Sequence, residues 1–495
     1  MDFLFTLLYL FTAISATTAD RKPPNFVVFF CDDLGYGDTG FNGNPTTHTP
    51  HLDELAWSGK ILTSWYSGCN VCTGSRASLM TGRQMPRTGL PGVIGPDCSY
   101  GLNLEEITIA EHLKKHANYS TAIVGKWHLG SRKVYLPGNR GFDHYLGIPF
   151  SDDMGQGWMS QCPGEDSQHS VHQDSGAVSE PWSSRDMYDA LGLLDPKHKQ
   201  TTEPVTDEGT KWLPLVHQEF NKTTILEQPV DLTTLSSKYK DFATKFVEDH
   251  KESPFFLYVP FSHVHTTASG TTPEKQYSGC DFGNKSIRGP FGDALSELDW
   301  MAGQIVQKIR DLDLEEDTLF IFTSDNGPWM VQGLSGGSEG LFTGRFALSD
   351  GYWNTGKGSN WEGGIREPAF AYWKGKISPF SRSAEIVSSL DVFPTLSTLA
   401  GIPMPKDRPF DGRDMSAVLL TDDGKSQHDF LFFYGTCNDE PYWSVTGVRH
   451  GKYKVRMKTT FVAFVEKDRV PANFVWDCFL IFEGTLVYCS RIRTI

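Results

Sequence analysis

Short, continuous apolar runs alternate with amphipathic stretches along most of this chain, and each run stops at a polar cluster. Asn25–Cys31 is the first, with the length and uniform apolarity of a strand buried on both faces, and it stops at Asp32-Asp33. Ser120–Val124 stops at Gly125-Lys126-Trp127-His128, the run 255–259 leads to His263-Val264-His265, and the run 318–323 leads to Asp325-Asn326-Gly327. Between these runs the spacing predicts helices over Pro50–Ser58, 104–116, 239–250 and 291–309, a strand over 61–66 and the first turns of a helix over 75–80.

Strands alternating with helices predict an α/β domain on a largely parallel sheet, and in such sheets ligands collect beyond the carboxyl ends of the strands. That is where the polar clusters fall. Two stretches are less regular: 151–210, rich in Ser, Gly, Asp and Pro, is expected to form long surface excursions, and 333–364 carries a glycine density suited to a loop passing close to a ligand. A boundary near 400–413 separates an expected catalytic unit, 20–405, from a smaller one, 406–495, in which 430–434 and 442–448 read as antiparallel strands. No solenoid-type repeat is present in the sequence.

The 495 residues are enough for a substantial core. Lys and Arg total 45 against 60 Asp and Glu, a formal charge of −15, which argues against nucleic acid or an anionic membrane as partner. An anionic substrate would need a focused basic pocket. Residues 3–14 are almost wholly apolar and small residues follow to Ala19, so 1–19 reads as a secretory signal peptide. No later run approaches the ~20 apolar residues of a membrane span. In a secretory compartment Cys31, Cys69, Cys98, Cys162, Cys280, Cys437, Cys478 and Cys489 are possible disulfide partners, with Cys72 left over. Asn118, Asn221 and Asn284 open glycosylation sequons.

The strand-end clusters divide by chemistry. Asp32, Asp33, Asp325 and Asn326 offer the hard oxygen ligands of Ca²⁺ or Mg²⁺, with Asp38 nearby in sequence. Arg76, Lys126, His128, His265, Lys357 and Arg83 supply the cations and proton-transfer groups that suit a tetrahedral oxyanion. Cys72 stays open between a thiolate nucleophile favoured by Arg76 and a helix start, a disulfide with Cys69, and a redox Cys-x-x-Cys.

Taken in order, Cys-Asp-Asp-Leu-Gly-Tyr-Gly-Asp from Cys31, Cys-Thr-Gly-Ser-Arg from Cys72, Gly-Lys-Trp-His-Leu-Gly from Gly125, His-Val-His from His263, Ser-Asp-Asn-Gly from Ser324 and Glu-Gly-Gly-Ile-Arg-Glu-Pro from Glu362 resemble the type I sulfatases of the alkaline phosphatase-like superfamily. The resemblance spans about 24–454 and is strongest to the arylsulfatase A and N-acetylgalactosamine-6-sulfatase branch. It implies a large mostly parallel sheet flanked by helices, with a smaller C-terminal antiparallel sheet. It implies hydrolysis of aryl or carbohydrate sulfate esters by a sulfuric ester hydrolase in which Cys72 has been oxidised to formylglycine by a converting enzyme. By resemblance, Asp32, Asp33, Asp325 and Asn326 hold one Ca²⁺ and Arg76 fixes residue 72. A hydrated aldehyde there attacks sulfur and carries a covalent sulfate, which Lys126, Ser151, His265 and Lys357 bind, and His128 assists its elimination.

Two departures from the family pattern alter the expectation. Position 74 is Gly where the modification signature carries Pro or Ala; glycine is costlier to order and lacks a fixed φ, so less efficient conversion is expected. After about 454 the chain no longer follows the family, so a truncated or replaced C-terminal sheet is expected. The alternatives are a secreted sulfatase-like binding or matrix protein without turnover, and a phosphoesterase using two zinc ions. The expected partners are a sulfated small molecule, glycolipid or glycan, and the expected location is lysosomal or extracellular. A homo-oligomer is compatible with all of these readings.

Overall fold

Strands that are apolar along their whole length can be stable only between two covering layers. A computed structural model describes residues 22–90, 92–163, 212–268, 276–343, 355–435, 444–458, 477–482 and 485–489, and its centre is a sheet so covered. The expected leader, 1–19, and most of 151–210 lie outside these residues.

The strands are β1 (Asn25–Cys31), β2 (Lys60–Leu62), β3 (Trp65–Tyr66), β4 (Ser120–Val124), β5 (His144–Gly147), β6 (Leu215–Glu219), β7 (Lys222–Glu227), β8 (Phe255–Pro260) and β9 (Thr318–Ser324). They continue with β10 (Phe370–Tyr372), β11 (Ser381–Ser383), β12 (Val387–Ser388), β13 (Leu431–Tyr434), β14 (Val445–His450), β15 (Tyr453–Lys458), β16 (Asp477–Phe482) and β17 (Thr485–Cys489). The main sheet has the order β11-β2-β10-β9-β1-β8-β4-β5-β6-β7. Its centre, β9-β1-β8-β4-β5, is parallel throughout, while β10 and β6 run against their neighbours. The expected α/β architecture is therefore the one observed.

Alternate residues of β1 feed two cores. Val27 and Phe29 pack with Leu257, Val259 and Phe320 beneath α1 (Pro50–Ser58), where α4 (Leu235–Asp249) and α5 (Pro290–Asp311) also pack. Phe26, Val28 and Phe30 pack with Tyr258 and Ile321 on the other face, under α2 (Cys72–Thr81), α3 (Ile109–Ala117) and α6 (Val392–Leu399). The C-terminal strands β13 to β17 form a five-stranded antiparallel sheet, so the apolar run near the C-terminus supplies β16 and β17 to it. Tyr66, Ile365, Leu390, Leu431 and Phe433 form a small core that joins this sheet to the main body. A Cys162–Cys280 disulfide ties the segment after β5 to the segment after β8.

The helix expected over 239–250 runs Leu235–Asp249, and two other departures have a visible cause. The strand expected over 61–66 is divided: β2 joins the main sheet and β3 pairs with β12, and Arg366 occupies the break by donating from Nε to Thr63 O (2.7 Å). The helix expected over 104–116 begins only at Ile109, because Thr108 and Glu111 form a reciprocal cap. Glu111 N donates to Thr108 Oγ1 (3.1 Å) and Thr108 N to Glu111 Oε2 (2.7 Å). Asn118, in left-handed conformation, ends it. The sequon asparagines Asn118, Asn221 and Asn284 are all exposed.

Candidate active site

Five strand ends and one helix start deliver the site. β1 leads into Asp32 and Asp33, β4 into Lys126 and His128, β5 into Ser151, β8 into His265, and β9 into Asp325 and Asn326. Cys72 is the first residue of α2 and Arg76 lies one turn further on. Gly125 makes the turn out of β4: its φ is +126°, and a Cβ there would lie 1.9 Å from Pro260 O. Only glycine fits that approach, and it is what swings Lys126 over the sheet edge. The Gly-rich loop returns Lys357, anchored by Lys357 N donating to Pro328 O (3.0 Å) and Gly358 N to Asn70 O (2.8 Å).

Arg76 is the buried hub. Its Nη2 lies 2.8 Å from Asp325 Oδ2 and 3.2 Å from Asp32 Oδ2, and its Nη1 donates to Lys126 O (3.0 Å). Lys126 Nζ is 2.5 Å from Asp32 Oδ2 and donates to Ser151 Oγ (2.9 Å). Ser151 Oγ is 3.5 Å from His265 Nε2. His265 Nδ1 donates to Thr266 O (2.7 Å), which leaves Nε2 to accept from Lys357 Nζ (2.9 Å); the same ammonium is 2.8 Å from Asp33 Oδ2. Lys126, Ser151, His265 and Lys357 thus form one continuous arc.

Burial and charge set the protonation states. Burial would raise the Asp32 carboxyl, but Lys126, His265, Arg76 and Lys357 outweigh it and hold that group well below the usual carboxylate range. Burial and the neighbouring Asp32 push Asp325 up to about 6 despite Arg76. Burial also drives the Cys72 thiol above its usual range in spite of Lys126 and Lys357. A resting thiolate is therefore disfavoured, and Cys72 is a buried thiol rather than half of a disulfide. Burial, reinforced by Lys126 and Arg76, keeps His128 neutral, well below the usual histidine range. Its Nε2 lies 2.9 Å from Ile94 O and so carries the proton, while the buried Nδ1 has no partner and is free to accept one.

Asp32, Asp33, Cys72 and His265 place one ligand atom each within 4.8 Å of one another, a buried cluster capable of holding a divalent ion. Asp325 and Asn326 stand against it: Asp33 N donates to Asp325 Oδ1 (3.2 Å) and Asn326 Nδ2 to Asp33 Oδ1 (2.7 Å). The other end of that amide, Asn326 Oδ1, is buried without a partner. An orphaned oxygen among crowded carboxylates is the donor set a hard cation satisfies, so the residues fit one.

The sulfatase family model matches residues 24–402. The chain belongs to the sulfatase family. It is 38% identical to arylsulfatase A of Homo sapiens over 484 residues, covering 97% of this chain and 83% of that protein. It is 37% identical to arylsulfatase G of Rattus norvegicus over 458 residues, covering 90% and 78%. Among solved structures it resembles the sulfatase PsFucS1 from Pseudoalteromonas sp. with a TM-score of 0.67 at 28% identity, over 92% of this chain and 84% of that one. The protein is a sulfatase enzyme whose reaction is hydrolysis of sulfate esters, with the Asp32, Asp33, Cys72 and His265 cluster typical of the family's formylglycine-dependent chemistry.

Three residues named from the sequence fall outside this sulfatase centre. Asp38 accepts Arg288 Nη2 (2.6 Å) and Ser338 N (2.9 Å), so it clamps two loops and is not a cation ligand. Arg83 pairs with Glu106 (3.0 Å) and donates to Pro409 O (2.7 Å). The first histidine of the His-Val-His motif, His263, is bound to Glu297 (2.9 Å). Two residues were missed: Asp153, beside Ser151, and Trp329, whose ring lies against His265 and Lys357. Asp153 lies two residues after Ser151 and was within reach of the motif; Trp329 had no signal beyond following Asn326-Gly327-Pro328.

Proposed function

We propose that this sulfatase is calcium-dependent, that it acts on sulfate esters of phenols or sugar rings, and that its working nucleophile is residue 72 after oxidation of Cys72 by a formylglycine-generating enzyme. The observation that carries the reading is the arc Lys126–Ser151–His265–Lys357, closed by contacts of 2.9, 3.5 and 2.9 Å next to Cys72. Two ammonium groups and a hydroxyl on one concave edge match the peripheral oxygens of a tetrahedral anion. Asp32, Asp33, Asp325 and Asn326 would hold the cation, which would supply positive charge at the sulfate oxygens and at residue 72.

Each remaining group has a role that its protonation state allows. A hydrated aldehyde at 72 has two oxygens: one attacks sulfur as the S–O bond to the alcohol breaks, and through the other the enzyme-bound sulfate is expelled as the aldehyde re-forms. His128, neutral and with Nδ1 bare, takes the proton of that second hydroxyl. Lys357 is held in its ammonium form because, although burial would lower it, Asp33 and its other anionic neighbours raise it well above the ordinary value; it can protonate the leaving oxygen. Arg76 fixes the start of α2 and offsets the repulsion between Asp32 and Asp325, which its Nη2 bridges.

Names of relatives such as arylsulfatase A and arylsulfatase G support aryl sulfates as one substrate class. Membership of this family supports a secretory-pathway location, and we place the enzyme in the lysosome or outside the cell. No helix among the described residues is long and apolar enough to cross a membrane. The test is mass spectrometry of the peptide containing residue 72, with metal analysis and 4-nitrocatechol sulfate turnover beside a Cys72→Ala control. Formylglycine, about one calcium per chain and loss of turnover in the control are expected; an unmodified thiol in active protein, or two zinc ions, would reject the reading.

A further inference from the structure

The sulfate arc has a direction. Side-chain exposure rises from nothing at Lys126, through Ser151 and His265, to 10% at Lys357, so the pocket opens past Lys357. Over that opening lies Trp329, half-buried, with its ring centroid 4.5 Å from Lys357 Nζ and 5.5 Å from the His265 ring. The face of an indole is electronegative: it attracts an ammonium and repels sulfate oxygens. Sulfate therefore belongs at the Lys126 and Ser151 end, and the carbon part of the ester must pass Trp329.

The indole is also rigidly mounted. Pro328 O accepts Lys357 N (3.0 Å), Gln276 Nε2 donates to Ser335 O (2.9 Å), and the Asp38 carboxylate accepts Ser338 N (2.9 Å), so the strap carrying Trp329 is fastened at both ends and in between. A pre-set aromatic surface beside the departing oxygen can stack on a flat apolar ring face without an ordering cost.

We propose that Trp329 is the wall of the leaving-group subsite and makes this enzyme select sulfate esters whose alcohol is a ring with a flat apolar face over those of flexible or globular alcohols. The inference rests on the sulfatase reading above and deepens it. It assigns specificity to a residue whose type no motif in the chain required.

The test compares the parent enzyme, Trp329→Ala and Trp329→Phe, each with its conversion at residue 72 measured, on 4-nitrophenyl sulfate and on 2,2,2-trifluoroethyl sulfate. Loss of a stacking wall is expected to lower kcat/KM for the aryl ester about 10-fold or more in Trp329→Ala, with most of it restored by Trp329→Phe and the trifluoroethyl ester changed by less than about threefold. An equal fall on both esters, or no fall on the aryl ester, would overturn the proposal. A second measurement needs no turnover: calorimetric binding of phenylphosphonate and methylphosphonate to Cys72→Ala protein, with and without Trp329→Ala. A phenyl preference that Trp329→Ala abolishes supports the wall; no such preference, or one that survives the substitution, rejects it. Converted parent enzyme inactive on both esters would instead count against the sulfatase roles, while the phosphonate pair still decides on Trp329.

Discussion

Arg76 shows how much of the site rests on single buried charges. Its guanidinium lies between Asp32 and Asp325, all three side chains fully buried, so removing it strands two carboxylates out of water. Arg76→Ala is expected to cost about 3–5 kcal/mol of stability, read as a lower urea midpoint, and to abolish turnover. Position 74 is a second case. A Cβ on Gly74 would lie 2.7 Å from Cys69 Sγ and 3.0 Å from Cys69 Cβ, so the glycine that departs from the family signature makes room for the cysteine five residues earlier. Gly74→Ala should cost about 1–3 kcal/mol by overpacking, and most of that should vanish when it is combined with Cys69→Ala, as a double-mutant cycle by chemical unfolding will show. The motif residues were legible from sequence because strand-end Asp, Lys and His are expensive to place there without a ligand. Trp329 was not, since an aromatic in a loop has many uses and only its position over Lys357 gives it one.

Among the elements, those with a single dominant signal were readable. β1, β4 and α1 have the bounds their sequence implies, because an unbroken apolar run or a proline-led amphipathic turn leaves little choice. Short strands such as β10, β11 and β12 escaped, since two or three residues carry no period and their pairing is decided by distant partners. The start of α1 contains a further dependence invisible in sequence. Asp299, on α5, accepts His51 N (3.2 Å) and Leu52 N (2.8 Å), and burial pushes its carboxyl up to about 7 although those amide donors favour the charged form. A carboxyl raised from its ordinary value of about 4 holds its proton more tightly folded than unfolded. Its contribution to stability is complete below about pH 4 and is lost as pH rises through about 7. The thermal midpoint should therefore decline between about pH 4 and 7, and Asp299→Asn, which keeps an acceptor for the helix start without titrating, should flatten that decline in calorimetry.

At the scale of the whole molecule, the parallel order of β9-β1-β8-β4-β5 explains why Asp33 and Asn326, 293 positions apart in sequence, meet: every one of these strands points its carboxyl end at the same edge. That much followed from the alternation of strands and helices, and the antiparallel strands expected over 430–434 and 442–448 lie in the C-terminal sheet as β13 and β14; the hairpin β6-β7 carried no such signal. Cys72, at 1% exposure on the first turn of α2, lies at the bottom of the pocket and beyond the reach of a protein partner once this edge closes. If residue 72 is oxidised as proposed, by an enzyme that grips an extended segment, that enzyme reaches it only before then, and each chain has one opportunity, set by a race between folding and oxidation. Supplying the converting enzyme during synthesis should raise activity per molecule, whereas supplying it to purified folded protein should leave the thiol content at position 72 unchanged by mass spectrometry. On that proposal the fraction of active molecules is a birthmark of the population: it records how quickly each chain folded, and no later treatment short of unfolding revises it.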